Sequence, residues 1–411
     1  MNSSATSVEL ERRHGARNYD PLAVTLERGE GVWLFDTAGR RYLDMMSAYS
    51  AVSFGHGHPA LVAALTRQAE RLAVTSRAFH TARLGPFLAA LCRVTGMARA
   101  LPMNTGAEAV ETAIKAARKW AYKVKGVADG RAEIIVAAGN FAGRTTTIVG
   151  FSSEAQYRDG FGPFTPGFRS VPFGDAAALE AAIGPDTAAF IVEPVQGEAG
   201  IIVPPVGYLK AVREICTRHN VLMIADEVQT GLGRTGRVLA CDHEGVRPDG
   251  LTLGKALGGG LLPVSAFCAR EDVMAVFRPG DHGSTFGGNP LGAAVGEAAL
   301  ELLEHGPFCA TARVQGEYLL TQLSRLGHPA IVEIRGKGLL VGVEIDRRAA
   351  SARQVCDALV DEGVLTKDTH GTVVRMAPPL TIEPAQIDLA VAALGRALER
   401  VAVPAAEAVA A

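Results

Sequence analysis

Short, uninterrupted apolar runs separated by helical or turn segments constrain this chain more than anything else in it: EIIVAAG, TTTIVGF, AAFIVEPV, VLMIADE, GLTLGK and PVSAFCA. A strand with one face in water alternates polar and apolar residues, whereas a run that does not alternate belongs to a strand covered on both faces. That is the condition inside a mostly parallel sheet packed between helices, so the predicted fold class is α/β. Ligands in such sheets sit beyond the carboxyl ends of strands. Asn140, Glu193, Asp226 and Lys255 all fall at or just after such ends.

Smaller units surround this body. GVWLFD, a TAGR turn and RYLDMMSAYS read as an antiparallel hairpin. Pro59 to Val74 has helical spacing, with Leu61, Leu65, Ala69 and Leu72 on one stripe, and Leu84 to Val94 gives a second helix. Thr105 and Glu108 form a T-x-x-E capping box ahead of Val110, Ala113, Ile114, Ala117 and Trp120, so a helix starts near Glu108. Its first N–H groups lack helical partners and offer an anion site, although a plain capped helix is the simpler interpretation. Beyond the alanine-rich helix that begins at Pro290, a helix, strands and further helices predict a compact α+β unit. The expected division is 1–50 as an N-terminal segment of the small domain, 51–306 as the large domain and 307–411 as the C-terminal small domain. The closing PAAEAVAA is expected to fray.

A net charge of −2 and a sequence pI near 6.6 give no field that would gather nucleic acid or an anionic membrane, so small molecules are the expected partners. Cys92, Cys216, Cys241, Cys268, Cys309 and Cys356 lie far apart with no C-x-x-C spacing, which argues for free thiols in a reducing compartment. The opening MNSSATSVELERRHG lacks the apolar core of a secretory signal, and no window approaches the roughly 20 apolar residues of a membrane span. A cytoplasmic protein is expected.

Few lysines stand among the 41 basic residues, so each can be weighed as a nucleophile. Lys115, Lys119, Lys123, Lys125 and Lys210 fall on or just past helices and Lys367 near a strand, where solvated faces explain them. Lys255 and Lys337 are flanked by glycine. Lys255 ends an apolar run in the sheet, where burial lowers an ammonium pKa and favours attack on an aldehyde; Lys337 lies in the small unit. Asp226 closes a buried strand, a costly position for a carboxylate without a partner, and a protonated pyridine nitrogen would supply one.

Two rival nucleotide motifs fail. A magnesium-binding strand would need a GxxxxGK[ST] loop, which is missing, and Lys255 is followed by Ala256. GLGRTG at 231–236 matches GxGxxG, but the following stretch is broken by Gly245 and Pro248 where a dinucleotide fold needs a long helix. His56 and His58 fit no zinc spacing and read as structural or turn residues. Glu193 and Glu198 in VEPVQGEAG are an acid and base pair or rim charges; position alone leaves both open.

With these residues in view, the chain resembles the class III pyridoxal-phosphate aminotransferases, and among them the ornithine δ-aminotransferases. The likeness runs from about Arg17 to Gly395 and is carried by NYDPL, SAYSAV, TSRAF, LPMNTGAEAVETAIKAARKW, GNFAGRT, DGFGPFTPGF, VEPVQGEAG, ADEVQTGLGRTGR, LGKALGGG, HGSTFGGNP, RGKGLL and THGTVVRMAPPL. It implies a type I fold of the pyridoxal-phosphate-dependent transferases: a mostly parallel seven-stranded sheet in the large domain beside a small α+β domain. It implies that Lys255 binds pyridoxal 5'-phosphate covalently, that Asp226 pairs with the ring nitrogen, that Gln229 bonds the ring hydroxyl and that Phe141 stacks on the ring. Thr105, Gly106 and Ala107 would take the phosphate, with Ser284 and Thr285 reaching the neighbouring subunit's phosphate in a homodimer with shared sites. Tyr19, Tyr49 and Arg144 would hold the α-groups of ornithine, and Glu198 would pair with Arg375 until Arg375 grips 2-oxoglutarate. The implied products are glutamate 5-semialdehyde and glutamate. Ala142 stands where some relatives carry a bulkier side chain, leaving acetylornithine or 4-aminobutyrate transamination as alternatives; a glutamate-semialdehyde aminomutase of the same fold is a separate alternative.

Overall fold

The computed structural model describes residues 3–402 and is built on a seven-stranded sheet. Across the sheet the strands run Arg99–Met103, Ser265–Ala269, Gly250–Leu253, Leu222–Asp226, Thr187–Val192, Glu133–Ala137 and Phe168–Val171. Ser265–Ala269 is antiparallel to both of its neighbours, and every other pair is parallel. The α/β expectation and the mostly parallel seven-stranded sheet are both met.

Strand residues divide by parity, which explains the unbroken apolar runs. Ile134, Val136, Ile224 and Phe267 pack with the helix Gly106–Trp120 through Val110, Ile114 and Trp120. Ile135, Ala137, Met223 and Cys268 face the opposite layer, with Phe87, Leu91, Val212 and Ile215. The central strands therefore read as apolar at nearly every position.

The two strands at the sheet's edges went unpredicted because their sequences are RALPM and FRSV. Pro102 has no N–H to give a central ladder, and Arg169 and Ser170 are exposed. TTTIVGF is a correction in the other direction: it holds a short helix, Thr146–Gly150. Thr145 Oγ1 accepts from Ile148 N at 3.3 Å, and this local cap outweighs the strand preference of a threonine-rich run. The Pro59 helix stops at Ala69 and buries Leu61, Ala64 and Gln68, leaving Ala69 and Leu72 exposed. Gln68 goes inward because its amide donates to Leu72 O at 2.8 Å and accepts from Arg83 Nε at 3.2 Å.

The N-terminal hairpin gains a third strand. Leu26–Glu30, Trp33–Asp36 and Arg41–Asp44 are antiparallel, and Val364–Leu365 adds in parallel to the last of them. A second four-stranded sheet is made by Ile331–Lys337, Leu340–Ile345, Val373–Met376 and Asp368–Thr369. His58 caps the Pro59 helix, and His56 Nε2 lies 2.7 Å from Asp44 Oδ2. All six cysteines are free, four of them buried. Among the described residues no helix is long and apolar enough to cross a membrane; PAAEAVAA lies outside them.

Candidate active site

Four strands deliver side chains to one place. Glu193 follows Thr187–Val192, Asp226 ends Leu222–Asp226, Lys255 follows Gly250–Leu253, and Phe141 follows Glu133–Ala137. With Gly106, Ala107 and Gln229 they line a cavity of about 190 Å³. Lys255 enters it from a left-handed backbone conformation (φ +42°) after Gly254, where a Cβ would lie 3.2 Å from Val228 Cγ1. Gly143, at φ +134°, is held to glycine because a Cβ there would meet Ala107 Cβ at 2.7 Å.

Burial sets the charge states. It pushes the Lys255 ammonium below its ordinary range, against the opposing pull of Glu198, Asp226 and Glu193. It raises Asp226, although Asp226 Oδ1 accepts from Val228 N at 3.1 Å and Thr252 Oγ1 at 3.0 Å. Glu193 is pushed up to about 8 by burial and then by the charge of Asp226. Its oxygens accept from Phe141 N at 3.0 Å and Gly197 N at 3.2 Å, and so join the two loops. A lysine disposed to lose its proton can attack an aldehyde, and a buried carboxylate in want of charge compensation suits a cationic ring nitrogen.

The third requirement is met at the start of the helix Gly106–Trp120. Thr105 Oγ1 accepts from Glu108 N at 3.2 Å, and Glu108 Oε2 accepts from Asn104 N at 2.8 Å and Thr105 N at 2.9 Å. That capping box consumes the outer donors. Among the described residues Gly106 N and Ala107 N find no acceptor, and both belong to cavity-lining residues, which makes them an anion site. Thr105 itself is exposed.

A second group joins the loop after Thr187–Val192, which carries Glu198, to the small sheets. Arg375 donates to Glu198 through two parallel bonds of 2.8 and 2.6 Å, with only 3% of its side chain exposed. Burial alone would raise the Glu198 carboxyl, but the Arg375 guanidinium outweighs that and holds it low. The Arg375 guanidinium carbon is 5.2 Å from the centroid of the Tyr49 ring. Tyr49 belongs to a run, Ser47 to Ser50, in which all four residues are left-handed (φ 46°, 46°, 59° and 76°). At roughly 1–2 kcal/mol for each non-glycine residue, such a run persists only where its surroundings impose it.

Other expected residues lie farther out. Arg144 is exposed and stacks 3.8 Å above the Tyr157 ring. Tyr19 is 75% exposed. Ser284 accepts from Asn104 Nδ2 at 2.9 Å and Gly287 N at 3.0 Å within its own chain, while Thr285 is exposed. The structure thus gathers Phe141, Asp226, Gln229, Lys255, Gly106 and Ala107 in one cavity and joins Glu198 to Arg375. Thr105, Tyr19, Tyr49, Arg144, Ser284 and Thr285 do not line that cavity. Glu193 is the buried residue whose role the sequence left open, and its strand-end position was the signal for it.

A family model described as aminotransferase class-III matches residues 14–398. The chain is 53% identical to an ornithine aminotransferase of Halalkalibacterium halodurans over 95% of this chain and 98% of that one. It superposes on an ornithine aminotransferase of Toxoplasma gondii, reported with partial occupancy of PLP at its active site, with a TM-score of 0.95 and 44% identity, covering 97% and 95% of the two chains. An acetylornithine aminotransferase of Elizabethkingia anophelis is also similar, with a TM-score of 0.88 and 46% identity over 97% and 99%.

Proposed function

The chain belongs to the class-III aminotransferases, and on that premise we propose the residue roles by which it moves the δ-amino group of L-ornithine to 2-oxoglutarate, giving glutamate 5-semialdehyde and glutamate. Its cofactor is pyridoxal 5'-phosphate, which the cavity residues fit: an aldehyde beside Lys255, a ring nitrogen at Asp226 and a phosphate at Gly106 and Ala107. When bound, that cofactor supplies an electron sink for the bonds around the reacting carbon.

The chain's own residues do the rest. Asp226 would keep the ring nitrogen protonated, Gln229 would bond the ring hydroxyl, Phe141 would pack on the ring, and Thr105, Gly106 and Ala107 would hold the phosphate. Lys255 Nζ would hold the cofactor's aldehyde carbon and, once freed by the substrate's δ-amine, would serve as the base that takes the proton from the δ-carbon. Tyr19, Tyr49 and Arg144 hold the α-amino and α-carboxylate groups.

The observation that carries this reading is the bidentate Arg375–Glu198 pair. While paired, Arg375 offers no free cation to a substrate; released, it presents a fork that matches a carboxylate of 2-oxoglutarate. One site can then serve a cationic donor and a dianionic acceptor in turn. Glu198→Ala is expected to raise kcat/KM for 2-oxoglutarate and lower it for ornithine, each by about tenfold. Parallel losses on both substrates would show that the pair only supports the fold.

Ser284 and Thr285 are assigned to the phosphate of the neighbouring subunit in a homodimer, a reading supported by the exposure of Thr285. The small domain is read as 1–50 with 307–411 against a large domain of 51–306, supported by the pairing of Arg41–Asp44 with Val364–Leu365. The free cysteines support a cytoplasmic enzyme. Donor specificity tests the function. With 2-oxoglutarate as acceptor, ornithine should exceed N-acetylornithine, lysine and 4-aminobutyrate in kcat/KM, and preference for any other donor overturns the assignment. Sustained turnover of glutamate semialdehyde without 2-oxoglutarate would instead mark an isomerase.

A further inference from the structure

GLGRTG, too short of helix to bind a dinucleotide, carries a residue with a different task. We propose that Arg234 is a positioning residue for the amino donor, acting through Ser47 and Ser53 to hold Tyr49 where it meets the donor's α-groups. The proposal rests on Tyr49 being such a contact.

Arg234 is completely buried, and among the described residues no carboxylate forms an ion pair with it. Among the described residues its Nε finds no acceptor, and the two Nη groups donate on two fronts. Nη1 donates to Leu339 O at 3.0 Å and Pro378 O at 2.6 Å, and Nη2 donates to Ser47 Oγ and Ser53 Oγ, both at 3.1 Å. The two serines bracket the left-handed run. Ser47 begins it, and its hydroxyl donates to Ala377 O at 2.7 Å; Ser53 donates to Ser50 O, at the end of the run, at 2.9 Å. Asp44 secures the entry, accepting from Met46 N and Ser47 N at 2.8 Å each.

The same guanidinium therefore grips both ends of the run carrying Tyr49 and the backbone just after the strand Val373–Met376, which carries Arg375. Met45 O accepts from Ala377 N at 2.7 Å, which closes the frame. Four consecutive left-handed residues have every reason to relax when released, and Tyr49 would then rotate away from its place near Arg375. A fixed planar fork can satisfy four acceptors on two sides; a lysine ammonium, with three donors from one point, cannot. Burial of a cation whose hydrogen bonds all go to neutral acceptors is a costly arrangement that the charge of Asp44 offsets only in part, and the specification of one loop geometry is what it supplies here.

The test compares Arg234→Lys and Ser47→Ala with Tyr49→Phe in the pyridoxal-phosphate-loaded enzyme. Single-turnover rates are measured with L-ornithine and with n-butylamine, which keeps the reacting amine end and lacks both α-groups. In parallel, the Kd of L-2-aminopentanoate, which has the α-groups and no δ-amine, is measured by calorimetry on enzyme loaded with pyridoxamine phosphate. All three variants should lower the ornithine-to-butylamine ratio, Arg234→Lys by about tenfold, and weaken the calorimetric Kd similarly, while Arg234→Lys and Ser47→Ala keep butylamine rates within about twofold of wild type. Ser47→Ala added to Tyr49→Phe should cost little more than Tyr49→Phe alone.

Parallel loss on both amines, or full additivity, overturns the proposal and leaves Arg234 as a core residue. A normal ratio in Tyr49→Phe removes Tyr49 from the donor site, and the proposal with it. A lowered ratio in Tyr49→Phe with a normal one in Ser47→Ala and Arg234→Lys defeats the proposal alone. Ser47→Ala, a small change beside Arg234, keeps the test decisive if Arg234→Lys does not fold.

Discussion

Lys255→Ala is expected to eliminate transamination, lowering the rate of glutamate formation from ornithine and 2-oxoglutarate by roughly four orders of magnitude or more. The size of the effect follows from two roles on one nitrogen. In the proposed mechanism Lys255 is the amine the donor must displace, and it is then the base that moves the proton at the δ-carbon. Its setting serves both: full burial lowers the ammonium pKa, while Glu198, Asp226 and Glu193 keep that shift in bounds. Alanine tolerates the left-handed φ of +42° no worse than lysine does, so the fold has no new reason to fail. Cofactor should still bind through Gly106, Ala107 and Asp226, but without the covalent link, and its absorbance should be that of the free aldehyde. A small amine added to the buffer should restore part of the proton transfer. Wild-type turnover in the alanine enzyme would remove Lys255 from the mechanism.

How much of this was legible in the sequence depends on how many sides of a residue are enclosed. Central strands such as Leu222–Asp226 are covered on both faces and paired on both edges, so their sequence had to be apolar throughout, and it announced them. Phe168–Val171 and Arg99–Met103 have one free edge each, and that freedom admitted Arg169, Ser170 and Pro102, which erased the signal. Asp226 and Lys255 could be found from strand ends because a charge closing a buried run demands an explanation. Glu198 and Arg375 stand 177 positions apart and are joined only by the packing of a loop on the small sheet, so no local pattern pointed to the pair. Arg234 illustrates the same limit. Its motif was visible, but its meaning lay in Ser47, Ser53, Leu339 and Pro378, which only the folded chain brings to it.

Asp226→Asn should separate what the fold needs from what the chemistry needs. In the cofactor-free protein the carboxylate is a burden, because burial raises its pKa and two hydrogen bonds relieve that only in part. An asparagine carbonyl accepts the same bonds from Val228 N and Thr252 Oγ1 without the desolvation cost of a charge. The cofactor-free variant is therefore expected to unfold at the same temperature as wild type or higher. Because the folded pKa lies above the ordinary value of 3.8, the wild-type carboxylate loses stability as pH rises past that value. The advantage of asparagine should accordingly be largest near neutral pH and vanish as the solution is brought below about pH 4. With cofactor bound the order reverses. The amide cannot keep the ring nitrogen protonated, and loss of a buried charge partner worth about 3–5 kcal/mol predicts a fall in turnover of roughly 10² to 10⁴. Thermal unfolding of the cofactor-free protein across pH, set beside turnover per bound cofactor, reads both halves. A variant that unfolds early yet turns over normally when loaded would make Asp226 a residue of the fold alone.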